Sequence, residues 1–137
     1  MMYLLDTGVW LRGVMEMKSI PPPILNILAE SDQIFGLSAI SLWEVGKKMQ
    51  IGKLKLAKDL GAWFEDALAA NIQVLPLTAE VITDAMQLPE FTHRDPADEL
   101  ILATARIHQL TLLTTDTVLK AYKHARIRYF KPLVSQG

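Results

Sequence analysis

The chain contains no cysteine, and this absence excludes both disulfide bridges and metal sites built on thiolate ligands. No stretch of it approaches the roughly 18 uncharged apolar residues of a membrane span. The N-terminus has no basic leader, and Asp6 interrupts its apolar stretch, so we expect no signal peptide and a cytoplasmic location. Neither sign of charge is in excess, because 14 basic and 15 acidic residues leave a net charge of -1. Total charge therefore gives no reason to predict nucleic-acid binding.

The length and composition are those of an ordinary globular protein. With 137 residues, the chain is predicted to form one domain, residues 1–137, that is long enough to bury a hydrophobic core. Half of the residues are apolar and 21% are charged, which argues against disorder.

Short apolar runs alternate with helical patterns along the chain. The segments predicted as strands are residues 2–5, 34–37, 72–77, 110–114 and 127–130. The longer predicted helices span residues 41–50, 60–70, 79–88 and 96–109, and shorter ones follow residues 8, 23 and 116. Such alternation implies parallel strand pairing with helices on both faces of the sheet. The sequence therefore predicts an α/β fold with a central, mostly parallel sheet of four to five strands.

Four acidic residues stand where an apolar run gives way to the start of a helix. They are Asp6, Glu44, Asp98 and Asp116. Because the carboxyl ends of parallel strands lie at one edge of a sheet, we expect these side chains to meet there. Carboxylates crowded together repel one another unless a cation lies among them. Oxygen-only ligands favour a hard divalent cation such as magnesium, so the set predicts a metal site.

Each of these acids also has a purely structural interpretation in helix capping. Asp6 and Asp116 can cap the helices that follow them. Glu44 fits a capping box with Ser41 at the N-cap. Asp98 can offset the dipole at the start of its helix. Capping does not require all four at one edge of one sheet, so the set as a whole favours the metal site.

The remaining polar and aromatic groups are less specific. The histidines are too far apart for a zinc triad and are predicted to lie at the surface or at helix ends: His93, His108 and His124. The tryptophans fall on helical stripes and are predicted to lie in the core: Trp10, Trp43 and Trp63. Several threonines flank the acids, and their hydroxyls can orient phosphate or metal-bound waters or can cap helices locally: Thr7, Thr114, Thr115 and Thr117.

Two segments carry basic residues and no acid. They contain Lys47, Lys48, Lys53, Lys55 and Lys58 in the first, and Lys120, Lys123, Arg126, Arg128 and Lys131 in the second. Placed beside an acidic centre, such segments can steer a polyanion toward a bound metal. They can equally be ordinary solvated helix faces, and the sequence leaves both interpretations open.

Four segments occur in an order and at separations that are typical of one family. They are LLDTGVWL at residues 4–11, SLWEVGKK at residues 41–48, HRDPADELILATA at residues 93–105 and LLTTD at residues 112–116. Together they resemble the PIN domain, and most closely the VapC group of toxin ribonucleases from type II toxin–antitoxin pairs. The resemblance covers nearly the whole chain.

The resemblance implies a three-layer α/β/α fold and a magnesium- or manganese-dependent endoribonuclease that leaves a 5′-phosphate and a 3′-hydroxyl. It implies catalytic and metal-binding roles for Asp6, Glu44, Asp98 and Asp116, with Asp6 and Asp98 as the primary ligands. Thr115 falls where a hydroxyl often supports the site, and Thr7 is predicted to support it as well. The implied partners are RNA, a cognate antitoxin protein and a second copy of the chain in a homodimer, with no membrane.

The chain departs from the family pattern at positions beside the acids. Gly8 stands where histidine or asparagine is frequent, and Ala97 and Glu99 stand where phenylalanine and arginine are common. These changes leave the acids in place, so they bear on substrate positioning and rate.

Two rival functions remain open at the level of sequence. The first is a phosphatase with Asp6 as nucleophile, but haloacid-dehalogenase-like enzymes have a second acid where this chain has Gly8. The second is a catalytically weak or inactive binding module that acts through a protein partner. A magnesium or manganese titration separates this module from a nuclease, because a metal site gains thermal stability as it fills.

Overall fold

A parallel sheet with β1 at its centre organises the molecule. The computed structural model describes residues 1–30 and 32–134, and within these ranges five strands pair in the order β3-β2-β1-β4-β5, all of them parallel. The strands are β1 (Tyr3–Leu5), β2 (Phe35–Ser38), β3 (Ile72–Leu75), β4 (Thr111–Thr114) and β5 (Ile127–Tyr129). The predicted fold class is therefore confirmed.

Helices connect the strands. They are α1 (Thr7–Met15), α2 (Pro22–Leu28), α3 (Ala39–Gln50), α4 (Leu60–Ala67), α5 (Ala79–Met86), α6 (Pro96–His108) and α7 (Thr117–Lys120), with a short 3-10 turn at Met17–Ser19. Within the described ranges, no helix is both long enough and apolar enough to cross a membrane.

The strands bury both of their faces, which gives the molecule three layers. In β1, Leu5 packs into one core beneath α1, α2, α3 and α4, whereas Leu4 packs into a second core beneath α6 and α7. Leu113 and Leu112 repeat this alternation in β4. Successive strand residues point to opposite faces, so a continuous apolar run is what a doubly covered strand requires.

The strand order creates a crevice at the carboxyl edge of the sheet. From β1 the chain proceeds through β2 and β3 on one side and later returns to β4 and β5 on the other. Open α/β sheets bind ligands at such a reversal of strand order. Register fixes what meets there, because Leu5 pairs with Leu113 and thereby brings Asp6 beside Thr114.

Two sequence-based predictions about this region are wrong. Helix α3 begins at Ala39 instead of Ser41, because the hydroxyl of Ser38 accepts a hydrogen bond from the amide of Ile40 at 3.3 Å and caps the helix directly after β2. Trp43, predicted to lie in the core, is 61% exposed. It shares a helix face with the exposed Lys47, while Ser41 and Val45 form the buried stripe.

Candidate active site

The four acids singled out from the sequence lie at the carboxyl edge of the sheet, each on a different connection. Asp6 directly follows β1, and Asp116 follows β4 by two residues. Glu44 lies on α3, which starts where β2 ends, and Asp98 lies in the first turn of α6. The charges of Asp6, Asp116 and Glu44 each raise the pKa of Asp98, so the structure brings all four carboxylates into one region.

Asp6 is the most buried of the four, with only 8% of its surface exposed. Its carboxylate is held at both oxygens: Oδ1 accepts from the amide of Thr7 at 2.9 Å, and Oδ2 accepts from the hydroxyl of Thr114 at 2.6 Å. Burial raises the pKa of Asp6 to about 6, against the two hydrogen bonds that lower it, and the charges of Glu44 and Asp116 raise it further. The side chain is thus fixed in place, but its ionised form lacks a compensating positive charge.

Thr114 connects two of the acids. Its fully buried hydroxyl donates to Asp6 and accepts from the backbone amide of Asp116 at 3.0 Å. Asp116 in turn caps α7, since its Oδ1 accepts from the amide of Val118 at 2.8 Å. Thr115 was the threonine predicted to support the site, and within the described residues its hydroxyl makes no hydrogen bond. The sequence had named Thr114 only among several flanking threonines, and the structure shows that its hydroxyl is the one that holds Asp6.

A second chain of hydroxyl groups holds Glu44. The Thr7 hydroxyl donates to Oε1 of Glu44 at 2.6 Å, so the Ser41 hydroxyl, 2.7 Å from Thr7 Oγ1, is left to donate to it. Ser41 is fully buried and lies inside α3. The predicted capping box of Ser41 with Glu44 is therefore wrong, and Glu44 faces the crevice because Thr7 binds it there.

The start of α6 places Asp98. Asp95 is the N-cap, its Oδ1 accepting from the amide of Asp98 at 3.0 Å, and Pro96 occupies the first helical position. Burial, followed by the charge of Asp95 and then those of the other acids, raises the pKa of Asp98 to about 7. The neighbouring His93 brings its Nε2 to 3.5 Å from Oδ2 of Asp98. The prediction that His93 lies at the surface is confirmed, and the structure adds its contact with Asp98.

These residues fit a divalent metal ion. A carboxylate offers about four acceptor positions, and the hydrogen bonds described above occupy few of them on Asp6, Glu44 and Asp116. Burial first, and then the charges of the neighbouring acids, raise the pKa values of Asp6 and Asp98, so both carboxylates favour a nearby cation when they are ionised. An all-oxygen set of this kind matches the ligand preference of a hard divalent cation.

A cleft of about 240 Å³ lies beside α1, and two of its lining residues are close in sequence to Asp6 and Asp116. Its walls include Gly8, Arg12, Leu54 and Thr115. A Cβ atom at Gly8 would meet only the Thr115 hydroxyl, at an ordinary contact distance of 3.7 Å. Glycine is therefore not required sterically at this position, and its effect is to widen the cleft beside Asp6.

The basic residues of both segments lie on the surface. All ten side chains, from Lys47 to Lys58 and from Lys120 to Lys131, are exposed. Lys58 is neutralised by an ion pair with Asp66, and Lys120 lies over the ring of Tyr129 at 4.4 Å. Lys47 donates to Oε1 of Gln50 at 2.8 Å. Exposed basic side chains of this kind can attract a polyanion.

The fold and the acids define a class, namely α/β domains with a carboxylate cluster at the switch point of a parallel sheet. The chain belongs to the PIN domain family, whose family model matches residues 3–125. The resemblance drawn from the sequence segments is thereby confirmed.

Individual relatives agree with this assignment. The chain is 29% identical over 123 residues to ribonuclease VapC22 of Mycobacterium tuberculosis, covering 90% of this chain and 93% of that protein. Its fold is similar to that of DNA-bound VapBC from Salmonella typhimurium, with a TM-score of 0.72, 17% identity and coverage of 94% and 98% of the two chains. It is also similar to VapBC2 from Rickettsia felis bound to a promoter DNA fragment, with a TM-score of 0.70, 18% identity and the same coverage.

Proposed function

We propose that the protein is a metal-dependent endoribonuclease that hydrolyses RNA phosphodiester bonds and serves as the toxin of a toxin–antitoxin pair in the cytoplasm. The observation that carries the proposal is the gathering of Asp6, Glu44, Asp98 and Asp116 at the switch point of the sheet. Membership of the PIN family and the similarity to a protein named ribonuclease VapC22 support the choice of RNA as substrate.

In this proposal Mg²⁺ or Mn²⁺, when bound, supplies positive charge that favours ionisation of the attacking water and offsets the charge of the phosphate. Asp6 and Asp98 are the primary ligands, because both are partly or wholly buried and the raised pKa of each shows that its ionised form is unfavourable without a cation. Glu44 and Asp116 position a second ion or the waters around the first.

The surrounding hydroxyl groups keep these carboxylates in place. Thr114 fixes one oxygen of Asp6, and Thr7 fixes one oxygen of Glu44. Each hydroxyl is itself held by a second hydrogen bond, from the amide of Asp116 and from the hydroxyl of Ser41 respectively. Preorganised ligands need no rearrangement when the charge of the transition state develops. The supporting role of Thr115 stays a prediction.

The test is cleavage of total RNA with Mg²⁺, with Mn²⁺ and with a chelator, using the wild type and Asp6→Asn. The proposal predicts metal-dependent cleavage by the wild type and a loss of at least about a hundredfold in Asp6→Asn, a loss of several kcal/mol in transition-state stabilisation. Asp32→Asn is the matched control, because this exposed acid precedes β2 at the opposite edge of the sheet. Cleavage by Asp6→Asn at the wild-type rate contradicts the proposal.

We also propose an antitoxin protein as partner. One similar solved structure, from Klebsiella pneumoniae, is named as a toxin–antitoxin complex, and this chain carries an apolar groove of about 410 Å³ between α1, α2 and α4. Its rim includes Val14, which is 44% exposed, and Met17, which is 60% exposed. An apolar helix of the antitoxin is the expected occupant.

Growth measurements test this partner. Expression of the protein should arrest growth, and co-expression of its antitoxin should restore it. The variant Met17→Asp should resist this rescue while it still cleaves RNA in purified form, whereas Ile51→Asp, at the exposed end of α3, should remain rescued. Equal rescue of both variants contradicts the assignment of the groove.

A homodimer completes the proposed assembly. Helix α5 exposes Ile82 (43%) and Met86 (66%) side by side at a spacing of four residues, which offers an apolar patch for self-association. Sedimentation equilibrium should show a dimer that Ile82→Glu dissociates. A monomeric wild type at tens of micromolar contradicts this part of the proposal.

A further inference from the structure

We propose that His93 is a nitrogen ligand of the metal ion at the acidic site, so that the site binds transition-metal ions in preference to magnesium. The inference rests on the proposed function, since it adds one residue to the same site. The sequence pattern did not assign this role, and the side-chain geometry does.

The distance between His93 and Asp98 is the first observation. Nε2 of His93 lies 3.5 Å from Oδ2 of Asp98, with 44% of the histidine side chain and 17% of the aspartate side chain exposed. Direct N–H···O hydrogen bonds are usually about 2.7–3.2 Å long, so this pair is too far apart for a good one. Two ligands at about 2.1 Å from one ion lie about 3.0–3.5 Å apart, so the separation suits a shared metal.

A third ligand atom completes the group. Ligand atoms of His93, Asp95 and Asp98 all lie within 4.8 Å of one another. One oxygen of Asp95 accepts the amide of Asp98 as the helix cap, which leaves the other oxygen for a cation. Asp98 belongs both to this group and to the four acids at the carboxyl edge of the sheet, so the two share a ligand.

Aromatic packing holds the imidazole in position. The His93 ring lies edge-to-face on Phe91, with centroids 6.0 Å apart and planes at 74°. Phe91 lies edge-to-face on Tyr122 at 5.4 Å, and the hydroxyl of Tyr122 donates to the carbonyl of Pro89 at 2.8 Å. The loop before α6 is thus tied to the buried Tyr122, and a ligand with restricted motion binds with a smaller entropic cost.

The other histidines do not share this placement. His108 is exposed in the last turn of α6, at the opposite end of that helix from Asp98. His124 lies 3.2 Å from Glu90. His124 also packs edge-to-face on Tyr122, the ring that supports Phe91 and through it His93. His108 makes no such contact in the part of the chain that the structure describes, so it provides the matched control.

The chemistry of the ligand decides the metal preference. Magnesium binds oxygen almost exclusively and keeps several waters, so an imidazole ligand adds little to its affinity for the site. Transition-metal ions accept imidazole readily. Removing the nitrogen should therefore weaken transition-metal binding and leave magnesium binding nearly unchanged.

Pulsed electron paramagnetic resonance of the Mn²⁺-loaded protein tests the inference directly. A coordinated imidazole gives a ¹⁴N modulation of the Mn²⁺ signal. We expect this modulation in the wild type and in His108→Gln, and its loss in His93→Gln. Calorimetry on the same proteins should show Mn²⁺ affinity reduced about tenfold or more in His93→Gln, with Mg²⁺ affinity changed less than about threefold.

The possible failures are distinguishable. Mn²⁺ that binds the wild type without nitrogen modulation overturns the role of His93 and leaves the proposed nuclease intact. Modulation that persists in His93→Gln overturns it as well. A wild type that binds no Mn²⁺ at millimolar concentration removes the metal site itself, and the proposed function with it. Because His93 is partly exposed, His93→Gln should unfold in a chelator at the same denaturant midpoint as the wild type.

Discussion

Thr114 and Asp6 are separated by 108 residues of sequence and joined by a 2.6 Å hydrogen bond between buried side chains. The parallel pairing of β1 with β4 creates this contact, since Leu5 and Leu113 are register partners. The same hydroxyl accepts the amide of Asp116. One side chain thus links the first and last acids of the site to each other and to the sheet.

The Thr114 hydroxyl should contribute substantially to the free energy of unfolding. Thr114→Val keeps the volume but leaves Oδ2 of Asp6 and the amide of Asp116 without this partner, at a cost of roughly 1–3 kcal/mol in the free energy of unfolding. Thr114→Ser should retain most of the stability, and Thr115→Val should change it by less than about 0.5 kcal/mol. Urea unfolding of the three variants measures this, and equal effects of the two valine substitutions contradict the assignment.

Removing a buried charge should stabilise the protein when no metal is present. The pKa of Asp6 is raised from 3.8 to about 6, so its ionised form opposes folding by up to about 3 kcal/mol near pH 8. Asp6→Asn should therefore unfold at a higher temperature than the wild type in a chelator, by several degrees. It should also gain less from Mg²⁺ or Mn²⁺ than the wild type does. A variant that is less stable than the wild type in a chelator and equally stabilised by metal contradicts this account.

The stability of the metal-free protein should fall as the pH rises. Folding raises the pKa of Asp6 to about 6 and that of Asp98 to about 7, so between pH 4 and 7 the folded state binds protons that the unfolded state has released. Stability from these groups is greatest below pH 4, declines through this window and is lost above pH 7. Urea unfolding at pH 5 and pH 8 should show the decline in the wild type and a smaller one in Asp6→Asn. Saturating Mg²⁺ should remove the difference in stability between pH 5 and pH 8. A decline that neither Mg²⁺ nor the Asp6→Asn substitution reduces would contradict the assignment.

Two tryptophans should differ sharply in their contribution to stability. Trp63 is 7% exposed and packs edge-to-face on Trp10 with centroids 5.3 Å apart, so Trp63→Ala should cost about 3–5 kcal/mol. Trp43 is 61% exposed, and Trp43→Ala should change the unfolding free energy by less than about 0.5 kcal/mol. Chemical denaturation compares the two, and a large loss in Trp43→Ala would show that this side chain is buried in solution.

The sequence was sufficient for the fold class and for the edge where the acids meet, because both follow from local patterns. Alternating apolar runs and helices imply a parallel sheet, and an acid after a strand lies at its carboxyl end. The predicted start of a helix at residue 96 is likewise confirmed, because proline at the first helical position is a local signal.

The features of the site that were not predicted from the sequence depend on contacts between residues that are distant along the chain. Ser41 was predicted to cap α3, but β2 ends at Ser38 and this serine is the N-cap. The Ser41 hydroxyl therefore binds Thr7 instead. Thr115 was predicted to support the site, but the register of β4 on β1 places the adjacent Thr114, the last residue of β4, against Asp6. Trp43 was predicted to be a core residue because helical periodicity identifies an apolar face. Periodicity does not show which face of the helix points toward the sheet, and the start of this helix was misplaced.

The most direct measurement is the titration of the Asp6 carboxyl carbon by ¹³C nuclear magnetic resonance, in metal-free protein and with saturating Mg²⁺. The account predicts a midpoint near pH 6 without metal. With Mg²⁺, it predicts that the carboxylate stays ionised to a far lower pH, since metal binding requires the deprotonated ligand. An ordinary midpoint near 3.8 that Mg²⁺ does not move would contradict a shared cation site at these four acids.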